Sequence, residues 1–175
     1  RSTTLKLWNP ILQSDAQFVN LQYGDCHNEI SQVYKSTGIT IYDWSDADPL
    51  KDLDNFAAQI AALDLVITID NSTAHFAGAL GIPTWVLLPF APDWRWLLDR
   101  DDSPWYPTVR LFRQKEIGGW EAVFNEVNQA LIEERMTFQK AVCLSDVLAS
   151  TIKAFRRENI TEGNQRLVEL LSLLN

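Results

Sequence analysis

The segment DLVITIDNSTAHFAGALGIPTWVLLP, residues 64–89, carries the side chains best suited to chemistry in this chain. Four consecutive polar residues follow a short apolar run, and His75 comes one turn further on. Hydroxyls, an amide, a carboxylate and an imidazole can together bind phosphate and sugar groups through hydrogen bonds. The four polar residues are Asp70, Asn71, Ser72 and Thr73.

The flanking pattern predicts the elements that position these residues. LVITID, 65–70, is apolar on both faces, which is typical of a central parallel strand. STAHFAGAL, 72–80, predicts a helix that ends at Gly81, and TWVLLP, 84–89, predicts a second buried strand. Ligands of open α/β sheets bind beyond the carboxyl ends of the strands, and Asp70 lies at such an end.

The predicted helix start is suited to an anion. The first-turn N–H groups at Asn71, Ser72 and Thr73 have no acceptor within the helix, and the helix dipole adds partial positive charge there. A phosphate or diphosphate is therefore the expected ligand. His75 lies three residues after Ser72 on the same helix face and can reach the same ligand.

An alternative interpretation needs no ligand. Asp, Asn, Ser and Thr are ordinary helix caps, and His75 could be a hydrogen-bonded core histidine. Four cap-competent residues in a row exceed what one helix requires, which favours the ligand-binding interpretation.

The segment from Phe90 to Thr108 is a second candidate functional region. Connections longer than about 12–15 residues in compact domains are usually functional or disordered, and this one is rich in tryptophan. Aromatic and guanidinium groups can stack on a nucleotide and pair with its charge. The alternative is a packed lid or a seat for another domain. The predicted nucleotide wall consists of Trp94, Arg95, Trp96 and Arg100.

Strand and helix patterns alternate from residue 18 to about 135. Strands are predicted at 18–23, 39–44, 65–70, 84–89 and 109–114, with helices between most of them and after the last. This alternation predicts an α/β, Rossmann-like domain over 1–136, with a parallel sheet and helices on both faces. The remainder, 137–175, predicts a helical hairpin.

Composition excludes several classes of function. The 175-residue chain has a formal net charge of -8, which argues against a nucleic-acid partner. No apolar run approaches the roughly 18 residues of a membrane span. Two isolated cysteines and two histidines predict no metal site and indicate a reducing, cytoplasmic compartment. No cofactor is expected.

The segment 64–89 resembles the carboxyl-terminal half of glycosyltransferase family 9, the heptosyltransferase-like enzymes. Their motif D-[ST]-G-x-x-H-x-A-x-A-L-G-x-P is matched at seven positions. FAPDWRWLLDRDDSPWYPTVRLFRQ, 90–114, is similar to a bacterial subgroup in which the transferase is fused to tetratricopeptide repeats. The matched positions are Asp70, His75, Ala77, Ala79, Leu80, Gly81 and Pro83.

The resemblance implies one half of a GT-B fold that binds a nucleoside-diphosphate sugar. Asn71, Ser72 and Thr73 would supply backbone N–H groups to the diphosphate, and Asp70 and His75 would contact sugar or phosphate. The helix start would neutralise charge on the departing nucleotide, so that no metal ion is required. The parent reaction would transfer the sugar to an unknown acceptor.

Three departures from the family pattern affect what can be transferred. The family glycine is Ser72 here, and LPFAPDW, 88–94, replaces the usual loop, so base and sugar preference do not carry over. RSTTL, 1–5, resembles a segment just after the first strand of this half, so that strand is expected to be missing. In the family the general base belongs to the acceptor half, so the catalytic residue is unknown, with His75 as a candidate.

The tail adds a weaker resemblance. LASTIKAFRRENITEGNQRLVELLSLLN, 148–175, is similar to one tetratricopeptide repeat, which implies a protein partner. The resemblance to glycosyltransferase family 9 therefore implies the donor-binding half of a glycosyltransferase that is inactive by itself. The alternatives are a nucleotide-binding module without transfer activity and a scaffold that presents helical repeats.

Overall fold

The structure, a computed structural model, describes residues 3–44, 47–48 and 50–156. Strands and helices alternate along the first 113 residues, and a long helix follows. The strands are β1 (Phe18–Val19), β2 (Ile41–Tyr42), β3 (Val66–Ile69), β4 (Thr84–Leu88) and β5 (Val109–Arg113). The helices are α1 (Asn9–Leu12), α2 (His27–Thr37), α3 (Leu53–Ala61), α4 (Ser72–Ala79) and α5 (Trp120–Arg156), with 3-10 helices at Leu5–Trp8 and Trp94–Trp96.

All strand pairs between these elements are parallel. β3, β4 and β5 form one sheet with β4 in the centre, and β1 and β2 form a second sheet. The prediction of an α/β chain with parallel strands flanked by helices is confirmed. β4, the strand before the long loop, pairs with β3, the strand that precedes Asp70.

The single sheet implied by the sequence pattern is instead two separate sheets. β1 and β2 each contribute only two residues, against the six predicted for each. Polar side chains limit their length: Asn20 and Asp43 follow the two strands directly, and the Asn20 amide donates to Asp43 Oδ1 at 3.0 Å. These side chains begin a loop where the apolar pattern alone suggested continued strand.

The helix ends follow local sequence signals. α2 ends at Gly38, whose φ of 75° is the left-handed conformation that glycine adopts most readily. Capping residues in SDADPLKDL, 45–53, predict a helix that opens in this segment. α3 begins at the end of it, after an N-cap formed by Asp52, whose carboxylate accepts the N–H groups of Asp54 and Asn55, both at 3.0 Å. The segment includes residues 45, 46 and 49, which lie outside the described residues.

The core is organised around the small residues of α4. Ala74 packs against Val86 and Leu88 of β4, and Ala77 packs against Val66 of β3. Every residue of β4 is buried. Small side chains let α4 lie close to the sheet, which fixes the position of its N-terminus.

α5 is continuous from Trp120 to Arg156, without a break at the domain boundary predicted after residue 136. The chain divides into two compact units after Asn128. The second helix of the predicted hairpin falls in 157–175, outside the described residues. None of the described helices is both long enough and apolar enough to cross a membrane.

Candidate functional site

The N-terminus of α4 lies at the carboxyl end of β3, as the sequence predicted. Asn71 is the N-cap, and its side-chain oxygen accepts the Ala74 N–H at 3.4 Å and the Thr68 hydroxyl at 3.1 Å. The N–H groups of Ser72 and Thr73 belong to the first turn, which has no intrahelical acceptors. Ser72 is exposed and Thr73 is buried. Among the first-turn N–H groups, the Asn71 cap accepts only that of Ala74, so the N–H groups of Ser72 and Thr73 remain as possible donors to an anion.

Asp70 connects the end of β3 to the long loop. Its Oδ1 accepts the indole N–H of Trp96 at 2.7 Å, and its Oδ2 accepts the backbone N–H of Asp93 at 3.4 Å. The carboxylate therefore holds the loop beside α4. This contact supports a structural role for Asp70, and a ligand would have to share or displace it.

His75 lies between two aromatic side chains of the same loop. Its ring stacks on Trp96 with centroids 5.0 Å apart and an interplanar angle of 16°. Its Nδ1 is 3.1 Å from the hydroxyl of Tyr106. The imidazole is half-buried, so packing fixes its position near the start of α4.

Arg113 of β5 binds the backbone of the loop 90–108 through hydrogen bonds. Its guanidinium donates to the carbonyl oxygens of Arg100 at 2.7 Å and Leu97 at 3.0 Å, and also to that of Trp96. Partial burial lowers the pKa of the Arg113 guanidinium, which nevertheless stays protonated at physiological pH. The loop is therefore an ordered part of the fold.

The four residues predicted to form a nucleotide wall occupy different environments. Trp94 is 68 % exposed, and the Arg95 guanidinium lies 4.9 Å from its ring centroid while pairing with Asp93 at 2.8 Å. Trp96 is completely buried, so its ring is not accessible to a nucleotide in this conformation. Trp94 and Arg95 are the two that form a surface together.

Arg100 is engaged with a neighbouring carboxylate. It makes two hydrogen bonds of 2.7 Å to the oxygens of Asp102. These bonds raise the pKa of Arg100 and lower the pKa of Asp102. The cationic character expected of the loop is therefore reduced, because Arg95 and Arg100 are each paired with a carboxylate within it.

Two residues of the site were not singled out from the sequence. Tyr106 meets His75, although 31 positions separate them. Gln114 is buried after β5, where its Oε1 accepts the Phe90 N–H at 3.1 Å. Its Nε2 is buried without a hydrogen-bond partner within the described part of the chain. The one sequence signal for Gln114 is its position as a polar residue directly after an apolar strand.

Gly78 allows Tyr106 to approach α4. A Cβ at residue 78 would lie 2.6 Å from Cγ of Tyr106 and 3.0 Å from its Cβ and Cδ1. Cβ atoms essentially never lie closer than 3.0 Å to a non-bonded heavy atom, so the 2.6 Å approach requires a shift of the ring or of the helix. The glycine therefore sets the position of the Tyr106 hydroxyl and, through it, that of His75.

Gly78→Ala is expected to lower the free energy of unfolding by about 1–3 kcal/mol, because overpacking outweighs the helix propensity gained. Urea unfolding measures this loss. In a Tyr106→Ala background, which removes the ring, the same substitution should cost much less. Equal costs in both backgrounds, or a stabilised single variant, would contradict the proposed contact.

No cluster of three or more His, Cys, Asp or Glu side chains that could hold a metal ion occurs within the ranges that the structure covers. The residues gathered here can bind an anion and stack on a ring. They provide hydrogen-bond donors, an imidazole and an exposed indole.

The chain is 42 % identical over 126 residues to a protein named Protein FlbA from Caulobacter vibrioides (strain ATCC 19089 / CIP 103742 / CB 15). The matched region is 71 % of this chain and 21 % of FlbA, so the chain spans only about a fifth of that relative. No protein-family profile and no solved structure matches the chain.

Proposed function

We propose that this chain is the donor-binding half of a GT-B glycosyltransferase similar to glycosyltransferase family 9. In this proposal it binds a nucleoside-diphosphate sugar whose diphosphate sits at the start of α4. The parent protein transfers the sugar to an acceptor whose identity is unknown. The chain by itself holds the donor and does not complete the transfer.

The observation that carries the proposal is the position of the α4 N-terminus. It follows directly from β3 at the carboxyl edge of a parallel sheet, where ligands of α/β folds bind. The Asn71 side chain takes up the N–H of Ala74, which leaves the first-turn donors of Ser72 and Thr73 for a ligand. The local dipole attracts a diphosphate although the chain as a whole is acidic.

His75 and the loop support the same proposal. The imidazole is held between Trp96 and Tyr106, one turn along α4 from the exposed Ser72. In this role it is a preorganised contact to phosphate or sugar. Trp94, which is exposed beside Arg95, provides a ring on which a base can stack.

Ser72→Pro is the sharpest test, because Ser72 is the first residue of α4. Proline is favoured at this position, and the extended conformation of Asn71, with φ of -149° and ψ of -177°, suits a residue before proline. The substitution removes one N–H and should weaken nucleoside-diphosphate binding by about 10- to 100-fold, the range for a hydrogen bond to a charged group. Calorimetric titration measures this loss.

Ser72→Ala is the matched control, because it removes the hydroxyl and keeps the N–H. It should cost a smaller factor, about fivefold. A nucleoside without phosphate should bind far more weakly than the diphosphate to the unaltered chain. If the Pro variant and the unaltered chain bind the nucleoside diphosphate with equal affinity, and both are folded in thermal melts, the proposed diphosphate-binding site would be refuted.

A second candidate function is a binding or scaffold module without transfer activity. The hydrogen bonds that bind Asp70 to Trp96 and Asp93 favour it, since they give the motif aspartate a structural role. A nucleotide-binding module would bind diphosphate, whereas a scaffold would bind no nucleotide. The same titration therefore separates the scaffold from the proposed donor site.

A further inference from the structure

The two ring nitrogens of His75 have different surroundings. Nδ1 is 3.1 Å from the hydroxyl of Tyr106. Nε2 makes no hydrogen bond to a residue in the ranges that the structure describes, and the ring is only half-buried, so part of it reaches solvent. A neutral imidazole carries a proton on one nitrogen and a lone pair on the other. The bond at Nδ1 therefore decides whether Nε2 is a donor or an acceptor.

Two aromatic neighbours fix the orientation of the imidazole. Stacking on Trp96, with an interplanar angle of 16°, sets the plane of the ring. Trp96 is itself immobilised, because it is completely buried and its indole N–H donates to Asp70. The hydrogen bond to Tyr106 then distinguishes the two edges of the imidazole within that plane. Together these contacts turn Nδ1 toward the loop and leave Nε2 on the opposite edge.

The position of Tyr106 is equally constrained. Its side chain packs against the buried cluster that contains Ala74, and its carbonyl oxygen accepts the Val109 N–H at 3.1 Å. Its Cγ lies where a Cβ at Gly78 would come within 2.6 Å. Gly78 and His75 are three residues apart in α4 and share one helix face. The phenol ring therefore lies along α4, with its hydroxyl one turn nearer the helix start than its Cγ.

The chemistry of the two groups gives the direction of their hydrogen bond. A phenol O–H is a stronger donor than the N–H of a neutral imidazole, and the imidazole lone pair is a stronger acceptor than the phenol oxygen. The Tyr106 hydroxyl has no second hydrogen-bond partner within the described part of the chain, so its proton is available to Nδ1. In the neutral ring, Nδ1 then holds the lone pair and Nε2 carries the proton.

A protonated Nε2 matches the other groups at the start of α4. His75 is the fourth residue of this helix, and helical side chains lean toward the N-terminus, so the ring lies over the first turn. The backbone N–H groups of Ser72 and Thr73 are donors in the same turn. A ligand that meets donors only must bring acceptor oxygens. An oxyanion does so, whereas a sugar hydroxyl also needs an acceptor for its proton.

We propose that Tyr106 is a positioning residue that holds the proton of His75 on Nε2, and that this N–H donates to a phosphate oxygen of the ligand. The ligand in this statement rests on the proposed function, and the state of the imidazole does not. Tyr106 acts through His75 rather than on the ligand. The inference assigns His75 to phosphate instead of sugar. It also places the lone pair that a base would use at Nδ1, where the Tyr106 hydroxyl occupies it.

The state of the imidazole can be measured directly by NMR. The chain contains two histidines, so isotope-labelled histidine gives two ring systems, and a His27→Gln variant identifies the signals of His75. Long-range proton–nitrogen correlation spectra show which ring nitrogen of a neutral imidazole is protonated. The chain unfolded in urea provides the mixture of both forms as a reference. Tyr106→Phe is the matched variant, because it keeps the ring beside Gly78 and removes only the hydroxyl.

In the folded, unaltered chain, neutral His75 should be protonated on Nε2 alone. In Tyr106→Phe its nitrogen shifts should move toward those of the unfolded mixture, while the signals of His27 should stay in place. His27 is a suitable internal control because its side chain is 81 % exposed and its Nδ1 faces Asp43 at 3.5 Å instead of Tyr106. Protonation of His75 on Nδ1, or the unfolded mixture in the unaltered chain, would overturn the role of Tyr106.

Titration with inorganic pyrophosphate tests the second part of the proposal. His75→Ala should weaken binding about tenfold, the loss expected for one hydrogen bond to a charged group. Tyr106→Phe should weaken it about two- to fivefold, because the donor form of the ring is then no longer preorganised. In a His75→Ala background, Tyr106→Phe should have no further effect. An equal loss in both backgrounds would overturn the proposal, since Tyr106 would then act without His75.

The two measurements separate this inference from the proposed function. Pyrophosphate binding together with a His75 ring protonated on Nδ1 would leave the diphosphate site standing and overturn the role of Tyr106. A ring protonated on Nε2 in a chain that binds no pyrophosphate would refute the diphosphate site, and with it the ligand assigned to this N–H. Thermal melts of each variant show that the binding losses arise in folded protein.

Discussion

Replacing Trp96 with alanine is expected to lower the free energy of unfolding by about 3–5 kcal/mol. The indole is completely buried against Val86, Leu88 and Leu111, so its removal leaves a cavity that the sheet cannot fill. The substitution also removes the hydrogen bond to Asp70 and the stacking surface of His75. Urea unfolding followed by circular dichroism measures the loss.

Trp94→Ala is the matched control, because it alters the same residue type two positions away. Trp94 is 68 % exposed, and its replacement should change the free energy of unfolding by no more than about 0.5 kcal/mol. Trp96→Phe keeps an apolar ring and loses the N–H donor, so an intermediate cost is expected. If Trp94→Ala and Trp96→Ala cost the same, the described packing of the loop would be wrong.

The second large effect concerns catalysis. Residues 1–175 are expected to bind a nucleoside-diphosphate sugar without transferring the sugar, because the resemblance assigns the general base and the acceptor site to another half. General base catalysis typically contributes about 100- to 10,000-fold, and acceptor positioning contributes more. Chromatographic assay of nucleoside-diphosphate release measures this activity.

Donor binding in the same sample is the control for the absence of turnover. Calorimetry should show an occupied site at the donor concentration used in the assay. Robust turnover would show that the chain carries its own base and that the assignment to a donor-binding half is wrong. His75→Ala would then be the first variant to examine, because His75 is the candidate base of the described site.

Local sequence signals determined the elements that build the site. The apolar run before Asp70, the small residues of α4 and the cap-forming Asn71 specify strand, helix and helix start through short-range interactions. Gly81, at φ of 74°, ends the region of α4 in the left-handed conformation that only glycine adopts readily. These features depend on residues a few positions apart, which is why the sequence predicts them.

Strand lengths and the number of sheets were not predictable in the same way. β1 and β2 end where Asn20 and Asp43 follow them and hydrogen-bond to each other, and apolar periodicity carries no information on such a contact between two segments. The start of α3 was not predictable either. Several acidic residues in SDADPLKDL, 45–53, could cap a helix, and in the folded chain Asp52 is the one that does. Tertiary pairing decides between such local alternatives.

The sequence by itself determined that a polar helix start follows a buried strand and that an aromatic, arginine-rich loop comes after the next strand. The tertiary structure alone decided which aromatic residues face inward. Trp96 is buried beneath His75 and bound to Asp70, while Trp94 remains exposed. The physical reason is that contacts such as the one between His75 and Tyr106 join residues distant in sequence, and their partners are set by packing rather than by local pattern.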